Sequence, residues 1–296
     1  MKRNIRGSCA SILSGVLYGL IPFSILTLTK DGRMSSSFIL MMRMFFASLL
    51  LSPFALRREN RSRISGKMIR DILIAGLLLT ITSILIYSSY RFIPSGIGIS
   101  IHYSYPFLCT LANGIFFGVK PHRACAAAAL LSFLGIFALC DPSGLGDGAA
   151  SGILLALLSA FTFAAYLIWL ERRGLHAVNP AAYTSIMSCF SGLYLLFYNC
   201  AVGSMPVHMT GADMAAFCAV GALAAFAILT QVYGVKLVGA VCAAIFGTLE
   251  PIVCAVCGVF FLNEVLTAKA VFGIILVLSA VIIVTLCGIR GNCDQQ

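Results

Sequence analysis

Ten runs of mostly apolar residues follow one another along the 296-residue chain, separated by short polar or Gly/Pro connections. They cover approximately 7–28, 35–56, 70–90, 93–118, 123–140, 150–170, 179–202, 212–235, 238–262 and 268–289. A run of about 20 apolar residues, rising ~1.5 Å per residue as a helix, spans the ~30 Å hydrocarbon core of a bilayer. The connections, such as Lys30–Arg33 and Asp141–Gly144, carry the charge and the turn residues. With 60% of residues apolar and 10% charged, the chain has more apolar side chain than a soluble domain can bury. That excludes a soluble enzyme, a disordered chain and a secreted disulfide scaffold. Period-2 alternation, the mark of a membrane β-barrel, is absent. The first run is too long, and lacks the cleavage context, for a removable signal peptide. The expected fold is therefore an all-α polytopic membrane protein of ten transmembrane helices.

Twenty Lys and Arg against ten Asp and Glu give a net charge of +10. In a membrane protein such an excess first reports orientation, because cytoplasmic loops collect the positives. An even number of spans places both termini on one side. Fifteen of the twenty positives fall on that side, among them Arg6, Arg57, Lys67, Arg172, Arg173 and Lys236. Four fall opposite (Lys30, Arg33, Arg91 and Lys269), and Arg43 lies within a span. Both termini are expected in the cytoplasm. The positives are dispersed over loops rather than gathered on one face, so nucleic acid is not an expected partner. Most of the twelve cysteines sit inside apolar runs, including Cys109, Cys189, Cys218, Cys242 and Cys254, and read as small buried hydrophobes. The Cys254–Cys257 pair has no second C-x-x-C to complete a zinc site, so neither a metal nor a cofactor is expected.

Shifting the chain by 145 residues lays its first half on its second. Pro106 then falls on Pro251, Cys109 on Cys254, Phe116 on Phe261, Gly76 on Gly221, Gly7 on Gly152, Ser14 on Ser159, Met42 on Met187 and Phe45 on Phe190. Matched prolines, glycines and span boundaries weigh more than matched leucines, which arise easily by chance. The reading is two five-helix repeats, 1–145 and 146–296. Five is odd, so the second must thread the membrane in the opposite sense, the inverted-repeat plan of many secondary carriers.

The stretches Tyr90–Gly96 through Pro106 and Lys236–Ala240 through Glu250-Pro251, closing on Phe261-Leu262-Asn263-Glu264, resemble the EamA family of the drug/metabolite transporter superfamily. The resemblance covers nearly the whole chain. This chain has Asn263 where the family usually has glycine, Gly118-Val119-Lys120 where a glutamate is common, and Tyr105-Pro106 where the second half has Glu250-Pro251. The resemblance implies export of amino acids or other small metabolites through a central cavity lined by spans 1, 3, 4, 6, 8 and 9. It also suggests a homodimer through spans five and ten. Those two spans carry no polar stripe and are expected to face lipid or a second copy.

Spans four and nine carry the informative stripe. Helical spacing aligns Gly98, His102, Tyr105, Cys109 and Asn113 on one face of span four, and Ala243, Gly247, Glu250, Cys254 and Gly258 on one face of span nine. A face of small and polar residues points at another helix or at a cavity rather than at lipid. Pro106 and Pro251 each remove a mid-span backbone hydrogen bond and leave a carbonyl to be satisfied elsewhere. Glu250 is thirteen residues from both Leu237 and Asn263, near the midplane. An ionised carboxylate there is costly, so it is protonated, paired or facing water. Arg43 sits about 9 Å shallower by the helix rise, too far for a simple salt bridge to Glu250. It either snorkels outward or lines the cavity and meets an anionic group. His102, at a depth nearer Arg43, is either a titrating group or a neutral hydrogen-bonded one. Tyr90, Trp169 and Tyr233 lie at span ends, as interfacial aromatics do. Tyr18 and Tyr105 sit mid-span, with Tyr87, Tyr166 and Gln231 between. The Gly15-x-x-x-Gly19 pair reads as a close helix contact.

The substrate-binding set expected from these residues is Tyr18, Arg43, Tyr87, His102, Tyr105, Tyr166, Gln231 and Glu250, with Glu250 and His102 as proton-coupling candidates. No phosphate-binding Gly-x-x-x-x-Gly-Lys-Ser/Thr occurs, so ATP-driven pumping by this chain is not expected. An intramembrane enzyme needs a nucleophile–base or metal set at matched depth. The four histidines (102, 122, 176 and 208) lie on separate elements, and no H-E-x-x-H or paired Asp is present. The expectation is a secondary transporter working by alternating access, with a channel-like facilitator or a non-transporting membrane scaffold as the alternative; a carrier would show saturable counterflow, a channel would conduct in a planar bilayer, and a scaffold would do neither. Short loops and the lack of long tails favour a bacterial inner membrane, with lipid as the surrounding partner and a small molecule as the cargo.

Overall fold

The computed structural model describes residues 2–29, 34–57, 65–93, 95–118, 123–139, 148–175, 178–206, 209–262 and 268–289. Among the residues singled out above, Lys30–Arg33, Lys120, His122, Asp141–Gly144, His176, His208, Asn263 and Glu264 lie outside them, as do the side chains of Cys254, Gly258 and Phe261. All regular structure among the described residues is helical. The helices are α1 (Lys2–Thr29), α2 (Ser36–Ala55), α3 (Gly66–Ser89), α4 (Ser95–His102), α5 (Tyr105–Phe117), α6 (Arg123–Leu139), α7 (Ala149–Arg172), α8 (Pro180–Val202), α9 (Gly211–Gly247), α10 (Leu249–Leu262) and α11 (Ala268–Ile289). Five stretches are long and apolar enough to cross a membrane by length and composition: α2, α3, α7, α8 and residues Gly211–Val253.

Local signals set the ends. Ser35 and Ser65 accept from the backbone N–H groups of Phe38 (3.2 Å) and Met68 (3.3 Å), satisfying donors that the first helical turn leaves free. Asn179 does the same for Ala181 and Ala182, with Pro180 preset at the first helical position. Thr210 and Asp213 form a reciprocal capping box at the start of α9. At Gly239 (φ 81°, ψ 166°) α9 turns sharply, in backbone space that a side chain disfavours, so residues 211–238 and 240–247 are two helical rods without a loop. The helical pattern also breaks at Tyr103-Ser104 and at Thr248, each three residues ahead of a proline. Pro106 and Pro251 lack the N–H that would close the preceding turn, so both segments kink at the same place in the 145-residue register.

The packing repeats in that register as well. α1 lies along α9 and α10, while α7 lies along α3, α4 and α5; α2 packs on α8, and α6 on α11. Gly7 admits Leu237 and Val238, and a Cβ there would stand 2.6 Å from each. At the counterpart, Gly152, a Cβ would stand 2.9 Å from Phe92 and 2.8 Å from Ile93. Gly15 and Gly19 let α1 approach the α9–α10 break, with Val253 and the Glu250 carbonyl against Gly19. The Gly15/Gly19 pair is thus a contact face, as its spacing suggests. Polar side chains tie helices together inside the apolar bundle. Ser14 donates to the Ala227 carbonyl (2.8 Å), Ser185 to that of Ser48 (2.9 Å), and Ser191 to that of Gly76 (3.1 Å). Asn199 on α8 accepts from Ser37 (2.7 Å) and donates to the Ser37 carbonyl (3.2 Å).

The outward surface is apolar. Phe116, Phe197 and Leu49 are 78%, 72% and 68% exposed, an arrangement water penalises and acyl chains accept. Two sequence readings are refined here. α6 and α11 pack on each other through Gly135, which sits against the Gly273 carbonyl and Leu276, so one face of each is already covered. Leu134 and Phe137 on α6, and Phe272 and Ile282 on α11, remain exposed. Of the cysteines, Cys109, Cys125, Cys242 and Cys257 are buried, but Cys189 is half-buried and Cys218 exposed. A thiol is apolar enough to face lipid, so apolar context did not by itself mean an interior position.

Candidate functional site

The span-four stripe is interior throughout: Gly98, His102, Tyr105, Cys109 and Asn113 are all buried. On the matching face, Ala243 is buried, while Gly247 and Glu250 are half-buried. Between the two kinks lies a cluster of polar and aromatic side chains. Tyr18 on α1 stands within electrostatic reach of Arg43, Glu250 and Tyr166, and Tyr105 within reach of Glu250 and Tyr18. Tyr183 on α8 neighbours Tyr166 and Tyr18. Arg43 is 8% exposed, so it does not snorkel; α2 holds it among buried Phe38, Ile39, Met44 and Ala47. Its guanidinium lies within electrostatic reach of the Glu250 carboxyl. No ion pair joins the two among the described residues, in keeping with the depth offset read from the sequence. Glu250 is instead hydrogen-bonded by Tyr103, which sits at the α4–α5 kink.

On the other side of the cluster the chemistry is aromatic. The His102 ring lies 5.6 Å from Tyr103, 5.5 Å from Tyr105 and 5.4 Å from Phe163. Phe163 meets Tyr105 edge-on at 4.7 Å and Tyr166 at 5.7 Å. His102 Nδ1 is 2.9 Å from Ser159 Oγ, and Ser159 also donates to the Ala156 carbonyl (2.6 Å). Since Ser159 gives its proton to that carbonyl, Nδ1–H is the donor toward Ser159. Tyr105 donates to the Ala244 carbonyl at 3.2 Å, and its hydroxyl occupies the space that Gly247 leaves open.

Tyr18 OH and Arg43 Nε are shut off from solvent here without a hydrogen-bond partner, and the buried Tyr166 and Tyr183 hydroxyls reach only each other. Buried polar groups are nearly always satisfied, so Tyr18 OH and Arg43 Nε call for an explanation. Of the eight sequence-predicted residues, Tyr18, Arg43, His102, Tyr105, Tyr166 and Glu250 come together. Gln231 lies on the α9 stretch against α1, between Ala227, which accepts from Ser14, and Gly234, which receives Ser11. Tyr87 is half-buried and meets Tyr90 edge-on at 5.6 Å, toward the span end. Sequence reasoning missed Tyr103, Ser159, Phe163 and Tyr183. Ser159 was in view as the repeat partner of Ser14, and Phe163 is the repeat position of Tyr18. Tyr103 falls off the helical stripe and enters only because the kink turns it inward.

A second polar cluster lies where α7 ends. Arg172 donates to Asn113 Oδ1 (2.9 Å) and lies over the Phe117 ring at 4.4 Å. Arg173 and Arg70 approach Asp71 at 4.0 Å and 3.6 Å, and Trp169 Nε1 donates to the Asp71 carbonyl (3.0 Å). The repeat positions of Asp71 and Asn113 are Ala216 and Gly258, so this cluster has no chemical counterpart in the second half.

Comparison with known proteins agrees with the helical, apolar build. A solved crystal structure matches with a TM-score of 0.77 over 98% of this chain and 98% of that one, at 17% identity, a likeness of fold. An uncharacterized transporter of Synechocystis sp. is 26% identical over 262 residues, 82% of this chain and 78% of that protein. The EamA-like transporter family matches twice, over residues 5–140 and 150–286, which together make up most of the chain. The chain is an integral membrane protein and belongs to the EamA-like transporter family.

Proposed function

We propose that the protein is a secondary transporter that alternates access around the Tyr18–Arg43–Glu250 cluster, exporting small metabolites such as amino acids. One observation carries this reading most: a buried arginine, a half-buried carboxyl and several buried tyrosines, with Tyr18 OH and Arg43 Nε left unpartnered, gather between two kinked segments in the middle of an apolar bundle. In this reading the eleven helices make ten spans, because α4–α5 and 240–247 with α10 are each one kinked span. They form two inverted repeats, 1–145 and 146–296, with both termini in the cytoplasm of a bacterial inner membrane. Support comes from the shared 145-residue register of helix starts (66 and 211, 95 and 240, 123 and 268), kinks, and glycine contacts. Two antiparallel halves with like packing can exchange conformations, and the exchange opens the cluster to one side and then the other.

Tyr18, Arg43, Tyr105 and Tyr166 bind the solute in this scheme, and His102, fixed by Ser159, positions the aromatic side. Glu250, reached by Tyr103 and Arg43, is the proton-coupling group. Tyr87 and Gln231 line the paths leading to either face. The exposed faces of α6 and α11 are left to lipid or a second copy. The test is transport in proteoliposomes holding the purified chain. A carrier gives saturable counterflow of a preloaded amino acid and no unitary conductance in a planar bilayer; conductance without counterflow would make it a channel. Glu250→Gln is expected to abolish uptake driven by an imposed pH gradient while sparing counterflow, and equal pH dependence in both proteins would remove Glu250 from coupling.

A further inference from the structure

The orphaned groups of the cluster are mostly donors. Arg43 Nε and the Tyr18 hydroxyl lie buried without an acceptor, the Tyr183 hydroxyl donates to that of Tyr166 and leaves the Tyr166 proton free to point onward, and an arginine side chain can only donate. Among the described residues no ion pair reaches Arg43, and its Nε is without a hydrogen-bond partner, although the residue is more than nine-tenths buried. A fixed positive charge in that setting calls for an anionic partner that arrives from outside the chain. Its charge is limited. Arg43 is the one Lys or Arg among the residues of the cluster, and the Glu250 carboxyl stands within electrostatic reach of it. A dianion such as a phosphoryl group would meet one cation and a nearby acid, whereas a single carboxylate matches the planar guanidinium fork and its one charge.

The remainder of the site is equally specific. His102, Tyr105, Phe163 and Tyr166 present four rings with successive centroids 4.7 to 5.7 Å apart. Tyr166 belongs to both sets, so the donors and the rings adjoin. The repeat explains the division of labour. Tyr18 in the first half has Phe163 as its counterpart in the second, and Glu250 in the second has Tyr105 as its counterpart in the first, so one pole, built from both halves, is polar and the other aromatic.

We propose that the solute is a monocarboxylate with a planar apolar body: Arg43, with the Tyr18 and Tyr166 hydroxyls, holds its carboxylate, and the His102–Tyr105–Phe163 rings hold its body. This rests on the transporter reading and narrows its cargo.

The test uses the purified full-length chain in detergent at pH 7.5, with saturable ligand-induced shifts of the thermal midpoint and calorimetric titration as readouts. The probes are 3-phenylpropionate, its neutral amide, 2-phenylethylamine and butyrate. The proposal expects 3-phenylpropionate to bind at least tenfold tighter than each of the other three. Arg43→Gln should weaken it by about 10- to 100-fold, the worth of a charge-assisted hydrogen bond, without changing the weak binding of the amide. Arg43→Lys, which keeps the charge but not the fork, should fall between. Phe163→Leu should weaken 3-phenylpropionate and leave butyrate unchanged. Amide and acid binding alike, an Arg43→Gln protein that binds the acid as the wild type does, or no saturable binding of 3-phenylpropionate would each overturn the proposal. If Arg43→Gln fails to fold, the acid-to-amide ratio in the wild type and in Arg43→Lys still decides. Counterflow of some other solute that is indifferent to Arg43 would sink this proposal and leave the transporter reading standing. Arg43-dependent binding without counterflow of any solute would do the reverse.

Discussion

Gly7 and Gly152 occupy equivalent positions on the two long seams of the bundle, α1 against α9 and α7 against the segment joining α3 to α4. A Cβ at Gly7 would stand 2.6 Å from Leu237 Cβ and Val238 Cγ1. At Gly152 it would stand 2.8 Å from Ile93 Cγ2 and 2.9 Å from Phe92 Cβ. Carbon atoms prefer about 3.5–4.0 Å, so each seam must open by roughly 1 Å. Several of the opposing atoms are Cβ atoms, which move only with the backbone. Overpacking of this kind costs about 1–3 kcal/mol, and the better helix propensity of valine over glycine returns only about 0.4 kcal/mol. Gly7→Val and Gly152→Val should therefore each destabilise by about 1–2.5 kcal/mol, or ~2–10 °C in thermal midpoint at 2–4 °C per kcal/mol. The sites share no partners, so the double variant should equal the sum within about 0.5 kcal/mol. Gly211→Val, where a Cβ meets nothing within 4 Å, is the control and should stay within about 0.5 kcal/mol. The assay is thermal unfolding in one detergent at one scan rate. A midpoint lowered by one seam variant and not by the other would refute the equivalence of the seams. Two unchanged midpoints would refute the packing itself.

Other perturbations separate structural contacts from incidental ones. Asn199→Leu removes both bonds to Ser37 and should lower stability by about 1–3 kcal/mol in the same assay, through the Ser37 groups left unpaired. Asp71→Asn should change stability by less than about 1 kcal/mol, because Arg70 and Arg173 are 63% and 45% exposed at their side chains. Maleimide should modify Cys9 and Cys200 in the detergent-solubilised chain, and should reach Cys109, Cys125 and Cys242 only after unfolding; mass mapping of the labelled peptides checks this.

The helical architecture was legible because a bilayer leaves the backbone few options. An apolar run of spanning length must satisfy its own hydrogen bonds, and a helix does so within the segment. Span edges read from the sequence fall within a few residues of the observed helices, and the prolines at 106 and 251 placed both kinks. Six of the eight residues expected to bind solute lie together at the cluster because depth and helical face could be read from spacing. Tyr103 was invisible to that procedure, which assumes a straight helix, while the kink at 103–104 turns it toward Glu250. Tyr183 lies close to the start of α8, and a tyrosine near a span end reads as an interfacial anchor; only the close packing of α8 on α2 makes it interior. Arg43 could be assigned a depth but not a direction. A guanidinium can follow its long stem either way, and the neighbouring helices decide which. The mutual cover of α6 and α11 was likewise unreadable, since uniformly apolar helices carry no stripe to say which face meets a partner.

The central claim, that the two halves exchange to expose one site to alternate sides, is tested most directly by two spin-label distances in one reconstituted protein. In a background stripped of native cysteines, one pair joins Lys67 to Tyr233 at the proposed inner end, and the other joins Arg91 to Val202 at the outer end; all four side chains are exposed. On adding a transported solute the account predicts opposite shifts, one distance distribution lengthening as the other shortens. Distributions that widen together, or that stay fixed while solute is transported, would contradict it.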